Sequence, residues 1–173
     1  MHKNSVKIAV IAFTAFTGMA QAGTYTPQPA NNISPYPTSP GNKDWTGMYG
    51  DVYAGHWFSG VPGNYLGFNL GYLTGNGSMV YGGELGYVYD PSASYSQFTI
   101  DGRVGVPAGV NTLLFANLGL GRDSAAFNFV EYSVGGQYAF TNSIYARGEV
   151  VGQTAFGGGG SKSSVRLGVG VDF

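Results

Sequence analysis

The stretch VRLGVGVDF (Val165–Phe173) alternates between apolar and polar or small residues up to its last position. Alternation with a period of two is typical of a β-strand whose two faces meet different surroundings. This apolar face contains no polar side chain and ends in an aromatic residue, an arrangement that is rare at the end of a soluble domain. We therefore expect a last strand that pairs with the first strand of a closed membrane barrel. The apolar face comprises Val165, Leu167, Val169, Val171 and Phe173.

Seven further segments alternate in the same way, and all eight are 10 to 14 residues long. A tilted strand needs about 9–11 residues to cross a bilayer, and an even number of strands places both chain ends on one side. The sequence predicts an all-β fold, an eight-stranded antiparallel up-and-down transmembrane β-barrel over residues 45–173. The predicted strands are Thr46–Phe58, Asn64–Leu73, Ser78–Tyr89, Tyr95–Val106, Thr112–Gly121, Phe127–Phe140, Ser143–Ala155 and Ser163–Phe173.

The polar faces of these segments are poor in charge. Charged residues make up 10% of the chain, against about 25% in a typical soluble domain. The polar faces carry Gly, Ser, Thr, Asn and Gln with a few charges of both signs. A soluble β-sandwich would present many charges to water. The composition therefore favours a packed polar lumen and an apolar face toward lipid.

Two segments precede the barrel. Residues 1–22 have a basic start, an apolar stretch and a small-residue cleavage pattern, which predicts a signal peptide. Residues 23–44 contain five prolines and no periodicity, which predicts an extended periplasmic leader. Together with the barrel, this predicts export to the outer membrane of a Gram-negative bacterium.

Several classes of function receive no support from the composition. The chain has no cysteine, so it offers no disulfide, thiol nucleophile or thiolate metal site. No metal-ligand cluster is evident, and we expect no cofactor. After residue 22, six Lys and Arg residues face nine Asp and Glu residues, which gives nucleic-acid binding no electrostatic support.

Eight charged residues fall on the polar faces and are expected to meet in the lumen. Eight strands leave little space inside, and an unpaired buried charge is costly. We favour a charge network that plugs the lumen, with an ion path as the alternative. Counting residues along the first, seventh and eighth predicted strands places Asp51, Glu149 and Arg166 at a similar membrane depth, which predicts that Arg166 is bridged by Glu149 and Asp51. The eight residues are Asp51, Glu84, Asp101, Arg103, Glu131, Arg147, Glu149 and Arg166.

A catalytic hypothesis rests on His56, the only histidine after residue 22. A barrel enzyme that edits lipid A would need a base, a nucleophile and an acid, here His56 with Ser59 and Asp90. A lone histidine beside Trp57 and Phe58 is more typical of the membrane interface. We therefore expect no enzymatic activity.

Aromatic residues near the strand ends predict two interfacial girdles. The expected members are Trp45, Tyr72, Phe140 and Phe173 at one interface and Phe58, Tyr89, Tyr95 and Phe127 at the other. The connections between strands are short at both ends, including the four that we expect outside the cell.

Several of these segments resemble a known family. The segments WTGMYGDVYAGHWF (Trp45–Phe58), YGGELGYVYD (Tyr81–Asp90) and YSVGGQYAFTNSIYARGEV (Tyr132–Val150) resemble strands of small outer-membrane barrels. Those barrels are related to the OmpA transmembrane domain and to the porin-like surface antigens of α-proteobacteria. The ending RLGVGVDF resembles their C-terminal assembly signal, at Arg166, Gly168, Val171 and Phe173.

The apolar outer face and the polar lumen network indicate a monomeric structural barrel that contacts outer-membrane lipid. The resemblance implies a porin-like protein, and a narrow channel for small solutes or ions is the alternative. The last strand would be recognised by the outer-membrane barrel assembly machinery.

Overall fold

The computed structural model describes residues 43–60, 62–157 and 160–173. The predicted signal peptide (residues 1–22) lies outside the described residues. So does the predicted leader (residues 23–44), except for its last two residues.

Eight antiparallel strands form one closed barrel, in which each strand pairs with the next and the last pairs with the first. Closure satisfies the backbone hydrogen bonds along every strand, as a bilayer requires. The predicted fold class is confirmed, and every predicted strand bound lies within two residues of the observed one. The strands are β1 (Gly47–Ser59), β2 (Gly63–Gly75), β3 (Val80–Asp90), β4 (Tyr95–Pro107), β5 (Thr112–Asp123), β6 (Asn128–Ala139), β7 (Ile144–Ala155) and β8 (Ser161–Asp172).

The outer surface of the barrel is apolar. In β8, Leu167 is 72% exposed and Val169 is 56% exposed, whereas Arg166 on the opposite face is buried. Large hydrophobic side chains are exposed in the same way on the other seven strands. A continuous apolar surface of this extent marks a membrane or protein contact. Among the described residues, no helix is long and apolar enough to cross a membrane.

The two ends of the barrel differ in what they carry. Residues 43–46 and Phe173 lie at one end, together with the turns at residues 76–79, 108–111 and 140–143. We call this the termini end. The opposite end, the loop end, carries the connections that follow β1, β3, β5 and β7, of which residues 60, 62, 91–94, 124–127, 156, 157 and 160 are described. All of these connections are short, as predicted.

Inward glycines make room for inward aromatic rings. Tyr53 stands opposite Gly67 on the neighbouring strand, and a Cβ at Gly67 would overlap the tyrosine ring. Glycine in a strand often marks such a close approach. The same arrangement recurs for Tyr49 with Gly71, Tyr65 with Gly55 and Tyr145 with Gly170.

Two of the eight predicted girdle residues point into the barrel instead. Trp45 is only 5% exposed, and its odd residue number gives it the parity of the inward Tyr49 and Tyr53 of β1. Tyr95 is half-buried and shares the inward face of β4 with Gln97. The prediction was wrong for these two. The other six are exposed or half-exposed near strand ends: Phe58, Tyr72, Tyr89, Phe127, Phe140 and Phe173.

Candidate functional site

The eight charged residues singled out in the sequence all lie inside the barrel. Each is at most 5% exposed. Strand alternation turns all of them inward from six different strands. Their positions are Asp51 on β1, Glu84 on β3, Asp101 and Arg103 on β4, Glu131 on β6, Arg147 and Glu149 on β7, and Arg166 on β8.

Arg147 is the centre of this lumen network. Its Nη1 donates to Asp51 Oδ2 at 2.8 Å and to Glu84 Oε2 at 2.6 Å. Its Nη2 donates to Glu84 Oε1 at 2.9 Å and to Glu149 Oε2 at 2.8 Å. A bidentate pair of this kind is among the stronger hydrogen-bonding arrangements in proteins. Arg147 thereby ties β7 to β1 and β3 across the lumen.

Arg166 forms a second centre closer to the loop end. Its Nε donates to Glu149 Oε1, its Nη2 donates to Glu131 Oε1 at 3.0 Å, and its Nη1 donates to Tyr53 Oη at 3.3 Å. Because Glu149 contacts both Arg147 and Arg166, the two centres form one network.

The predicted bridge from Arg166 to Glu149 is present, but the predicted bridge to Asp51 is wrong. Asp51 pairs with Arg147 and accepts a hydrogen bond from Asn69 at 2.9 Å. The strand register explains the difference, since Arg166 stands opposite Gly55 on β1. Four residues along a strand separate Gly55 from Asp51, which is roughly 13 Å. Depth counting from the sequence placed Asp51 too close to Arg166.

Arg103 extends the network to the other side of the lumen. Its Nη1 donates to Glu84 Oε2 at 3.2 Å and its Nη2 donates to Gln137 Oε1 at 2.9 Å. Its guanidinium carbon lies 3.8 Å from the ring centroid of Phe115 on β5. Asp101 lies beside the network, and its Oδ1 has no hydrogen-bond partner in the described part of the chain.

Neutral side chains continue the network toward the loop end. Gln153 Nε2 donates to Glu131 Oε2 at 2.7 Å and to Gln97 Oε1 at 2.8 Å. Above them, Lys162 Nζ donates to Tyr95 Oη at 2.9 Å, and Tyr95 Oη donates to Asp123 Oδ2 at 2.8 Å. The sequence reasoning missed this last cluster. The parity of β8, which places Lys162 on the same face as Arg166, could have revealed it.

Two apolar clusters accompany the network inside the barrel. A cluster toward the loop end contains Tyr53, Trp57, Tyr65 and Val88. A larger cluster fills the termini end and contains Trp45, Tyr49, Leu73, Val80, Leu113, Ala139 and Tyr145. The lumen is therefore apolar at the termini end, whereas toward the loop end the apolar cluster lies beside the polar side chains of Gln97, Gln153, Tyr95 and Lys162.

The segment before β1 crosses the mouth at the termini end. Lys43 N donates to Val110 O at 3.0 Å, and Lys43 Nζ donates to Asn142 O at 2.6 Å. The same Nζ forms an ion pair of 2.6 Å with Asp172 Oδ2. Lys43 thus joins two turns and the end of β8. The Lys43 ammonium nitrogen lies 5.0 Å from the ring centroid of Trp45, which is buried inside the mouth.

His56 lies on the outer face of the wall rather than in the lumen. Its side chain is exposed, and Nδ1 is 2.8 Å from Asn64 Oδ1 on β2. Asp90 is buried on the inner face and accepts hydrogen bonds from the backbone and hydroxyl of Ser92. The wall of the barrel separates the acid from the base in the catalytic hypothesis.

Comparison with solved structures gives a consistent result. The N-terminal β-barrel domain of Pseudomonas aeruginosa OprF matches with a TM-score of 0.58 and 16% identity over 73% of this chain and 96% of that one. Neisserial surface protein A matches with a TM-score of 0.54 and 16% identity over 74% and 98% of the two chains. This is the fold of the small outer-membrane β-barrels. The resemblance seen in the sequence is confirmed at the level of the fold.

Small outer-membrane barrels differ in what they do. The outer-membrane enzyme PagL also matches this barrel, with a TM-score of 0.57 and 15% identity over 71% of this chain and 99% of that one. The shared fold therefore does not decide between a structural and an enzymatic role. No protein-family model matches the chain, and no curated protein matches it.

The four residues of the resembled assembly signal lie on both faces of β8. Arg166 and Gly168 face the lumen, where a Cβ at Gly168 would press on Tyr53. Val171 is half-buried on the outer face, and Phe173 beyond the strand end is 58% exposed. The inward pair is used in packing within the barrel, whereas the Phe173 side chain remains accessible from outside.

Proposed function

We propose that the protein is a monomeric structural barrel of the Gram-negative outer membrane whose lumen does not conduct. The observation that carries this proposal is the network centred on Arg147 and Arg166, which joins side chains from across the lumen. The contacts from Arg147 to Asp51, Glu84 and Glu149 span the space that a permeating ion would need.

Conduction requires a continuous wet path. Here each guanidinium is engaged by buried carboxylates, and breaking one such pair costs about 3–5 kcal/mol. The interior of an eight-stranded barrel is only wide enough for its own side chains. The apolar cluster that fills the termini end supports the same conclusion. The network then acts as a brace between strands.

The proposal includes the route to the membrane. Residues 1–22 direct export, and residues 23–44 form a leader on the periplasmic side, which makes the termini end periplasmic. Lipid solvates the apolar outer face. The last strand, with Arg166, Gly168, Val171 and Phe173, is what the barrel assembly machinery recognises. The exposed ring of Phe173 supports this assignment.

Planar-bilayer recordings of the purified protein test the closed lumen. We expect no discrete conductance steps from the native protein. The variant Arg166→Ala/Glu131→Ala, which removes both partners of one ion pair and leaves the Arg147 centre intact, should also remain silent. Discrete steps in the native protein that grow larger with Arg166→Ala would establish the narrow channel instead. A gel-mobility difference between unboiled and boiled samples serves as the folding control for each variant.

No catalytic step is part of the proposal. Mass spectrometry of lipid A from cells that express the native protein or His56→Ala should give the same spectrum as cells without it. A modified lipid A that depends on His56 would contradict the structural role.

A further inference from the structure

The residues before β1 lie inside the mouth of the barrel without being part of its wall. Strand pairing begins at Gly47 with β2 and at Tyr49 with β8, so residues 43–46 belong to no strand ladder. Yet Trp45 is buried, and the Lys43 side chain is only 3% exposed. We call residues 43–47 the strap. Side chains and a few turn contacts must therefore hold the strap in the mouth.

The strap turns into the mouth at Gly47. This residue has a φ of +116°, in the left-handed region that favours glycine, and the nearest atom to a Cβ there would be Phe173 O at 3.7 Å. The backbone conformation, rather than a lack of space, is what favours glycine at this position. Next to it, Asp44 Oδ1 accepts hydrogen bonds from Thr46 N at 2.9 Å and from Thr46 Oγ1 at 2.8 Å. Gly47 thus forms a hinge between the strap and the wall.

Few contacts hold the strap in place. Among the described residues, the backbone hydrogen bond that ties residues 43–46 to the rest of the barrel runs from Lys43 N to Val110 O at 3.0 Å. The Lys43 ammonium group pairs with Asp172 and donates to Asn142 O. All three partners lie at the termini end, and none of them belongs to the charged network. A segment held by few contacts opens locally at a lower free-energy cost than the whole fold.

The burial of Trp45 is only partly favourable. Its indole ring packs in the apolar cluster at the termini end, together with Tyr49 and Tyr145. Its Nε1, however, is buried and has no hydrogen-bond partner among the described residues. A buried donor without a partner loses the hydrogen bond that water would give it. Burial of the ring therefore favours the closed strap, whereas the unpaired N–H group favours release of the ring into water.

We propose that the strap opens reversibly about Gly47 while the eight-stranded wall stays closed. Opening breaks the ion pair between Lys43 and Asp172 and moves Trp45 into water. Water then reaches the apolar cluster at the termini end, where Ala139 is 2% exposed with the strap closed. The loop end keeps its own hydrogen bonds and is unaffected. This device does not depend on which side of the membrane the termini end faces.

Thiol labelling tests the strap, since the chain has no cysteine of its own. Ala139→Cys places one thiol under the strap, whereas Ser164→Cys places one on the inner face of β8 toward the loop end, where Ser164 is fully buried. Each variant is folded in detergent micelles, and its modification by a small water-soluble methanethiosulfonate is followed by intact-protein mass spectrometry. We expect Ala139→Cys to react faster than Ser164→Cys.

Changes in the strap should affect only the first of these two rates. Lys43→Gln should speed the labelling of Ala139→Cys by at least about tenfold, because a hydrogen-bonded ion pair is lost, and should leave Ser164→Cys unchanged. Adding Asp172→Asn to Lys43→Gln should have little further effect, since both changes remove the same pair. The matched control is Lys162→Gln, which removes a positive charge at the loop end and should not alter the labelling of Ala139→Cys.

Fluorescence gives a second readout that needs no cysteine. The chain has two tryptophans, so Trp57→Phe leaves Trp45 as the only one. Acrylamide should quench the fluorescence of Trp45 more strongly once Lys43→Gln is added. A gel-mobility shift on boiling shows that each variant is folded before it is measured.

Three results would overturn the proposal. Equal labelling rates at Ala139→Cys and Ser164→Cys in the otherwise native chain would mean that the strap does not open by itself. Labelling and quenching that Lys43→Gln leaves unchanged would mean that the ion pair does not hold the strap closed. Equal acceleration at both cysteines would mean that the whole barrel loosens rather than the strap alone.

Discussion

Replacement of Arg147 by leucine should be among the most damaging single changes in the lumen. Its guanidinium lies 2.6–2.9 Å from oxygen atoms of Asp51, Glu84 and Glu149. The Arg147→Leu variant would leave these three carboxylates facing one another without their shared cation. Breaking one buried ion pair costs about 3–5 kcal/mol. Asp51 would lose its only cation, whereas Glu84 would keep Arg103 and Glu149 would keep Arg166. We therefore expect a loss within that range.

Urea unfolding in detergent micelles, followed by gel mobility, measures this loss. The matched control is Arg122→Leu, which makes the same chemical change on the outer face of the barrel. A surface substitution of this kind should change the free energy of unfolding by no more than about 0.5 kcal/mol. An Arg147→Leu variant that unfolds at the same urea concentration as Arg122→Leu would refute the assignment of Arg147 as the centre of the network.

A double-mutant cycle separates lost pairing from lost packing. Glu84 accepts two hydrogen bonds from Arg147, from Nη1 and Nη2. The variant Arg147→Leu/Glu84→Gln should therefore be less destabilised than the sum of its single changes, by about 0.5–3 kcal/mol. Strict additivity would mean that the two side chains contribute independently.

Two further changes probe packing inside the barrel. Gly67→Ala places a Cβ in the ring of Tyr53, so urea unfolding should show a free energy of unfolding lower by about 1–3 kcal/mol because of overpacking. Adding Tyr53→Leu to this variant should restore part of the lost stability. Unchanged stability of Gly67→Ala would contradict the close approach. Trp45→Ala removes the indole ring from the apolar cluster at the termini end and should lower the free energy of unfolding by about 3–5 kcal/mol. Unchanged stability of Trp45→Ala would mean that Trp45 does not fill the mouth.

Most of the fold was predictable from local pattern. Side chains alternate across a strand with a period of two, so the residues that share a face follow from sequence position alone. This is why the strand bounds, the apolar outer face and the inward direction of all eight charged residues could be read in advance. Tyr95 shows that the pattern must be applied consistently, since its odd number places it on the inward face with Gln97 and Asp101.

The partners inside the lumen could not be predicted in this way. Which charges meet depends on strand register and on contacts between strands that are not neighbours in the wall. Glu131 reaches Arg166, and Asp51 reaches Arg147, because the barrel closes around them. Lys43 and Trp45 share the inward parity of the first strand, but parity does not identify what they contact across the mouth. Their place across the mouth depends on turns and a strand end that only closure brings together. The amino-acid pattern therefore specifies the wall of this barrel, whereas its closure in three dimensions specifies the contents of the lumen.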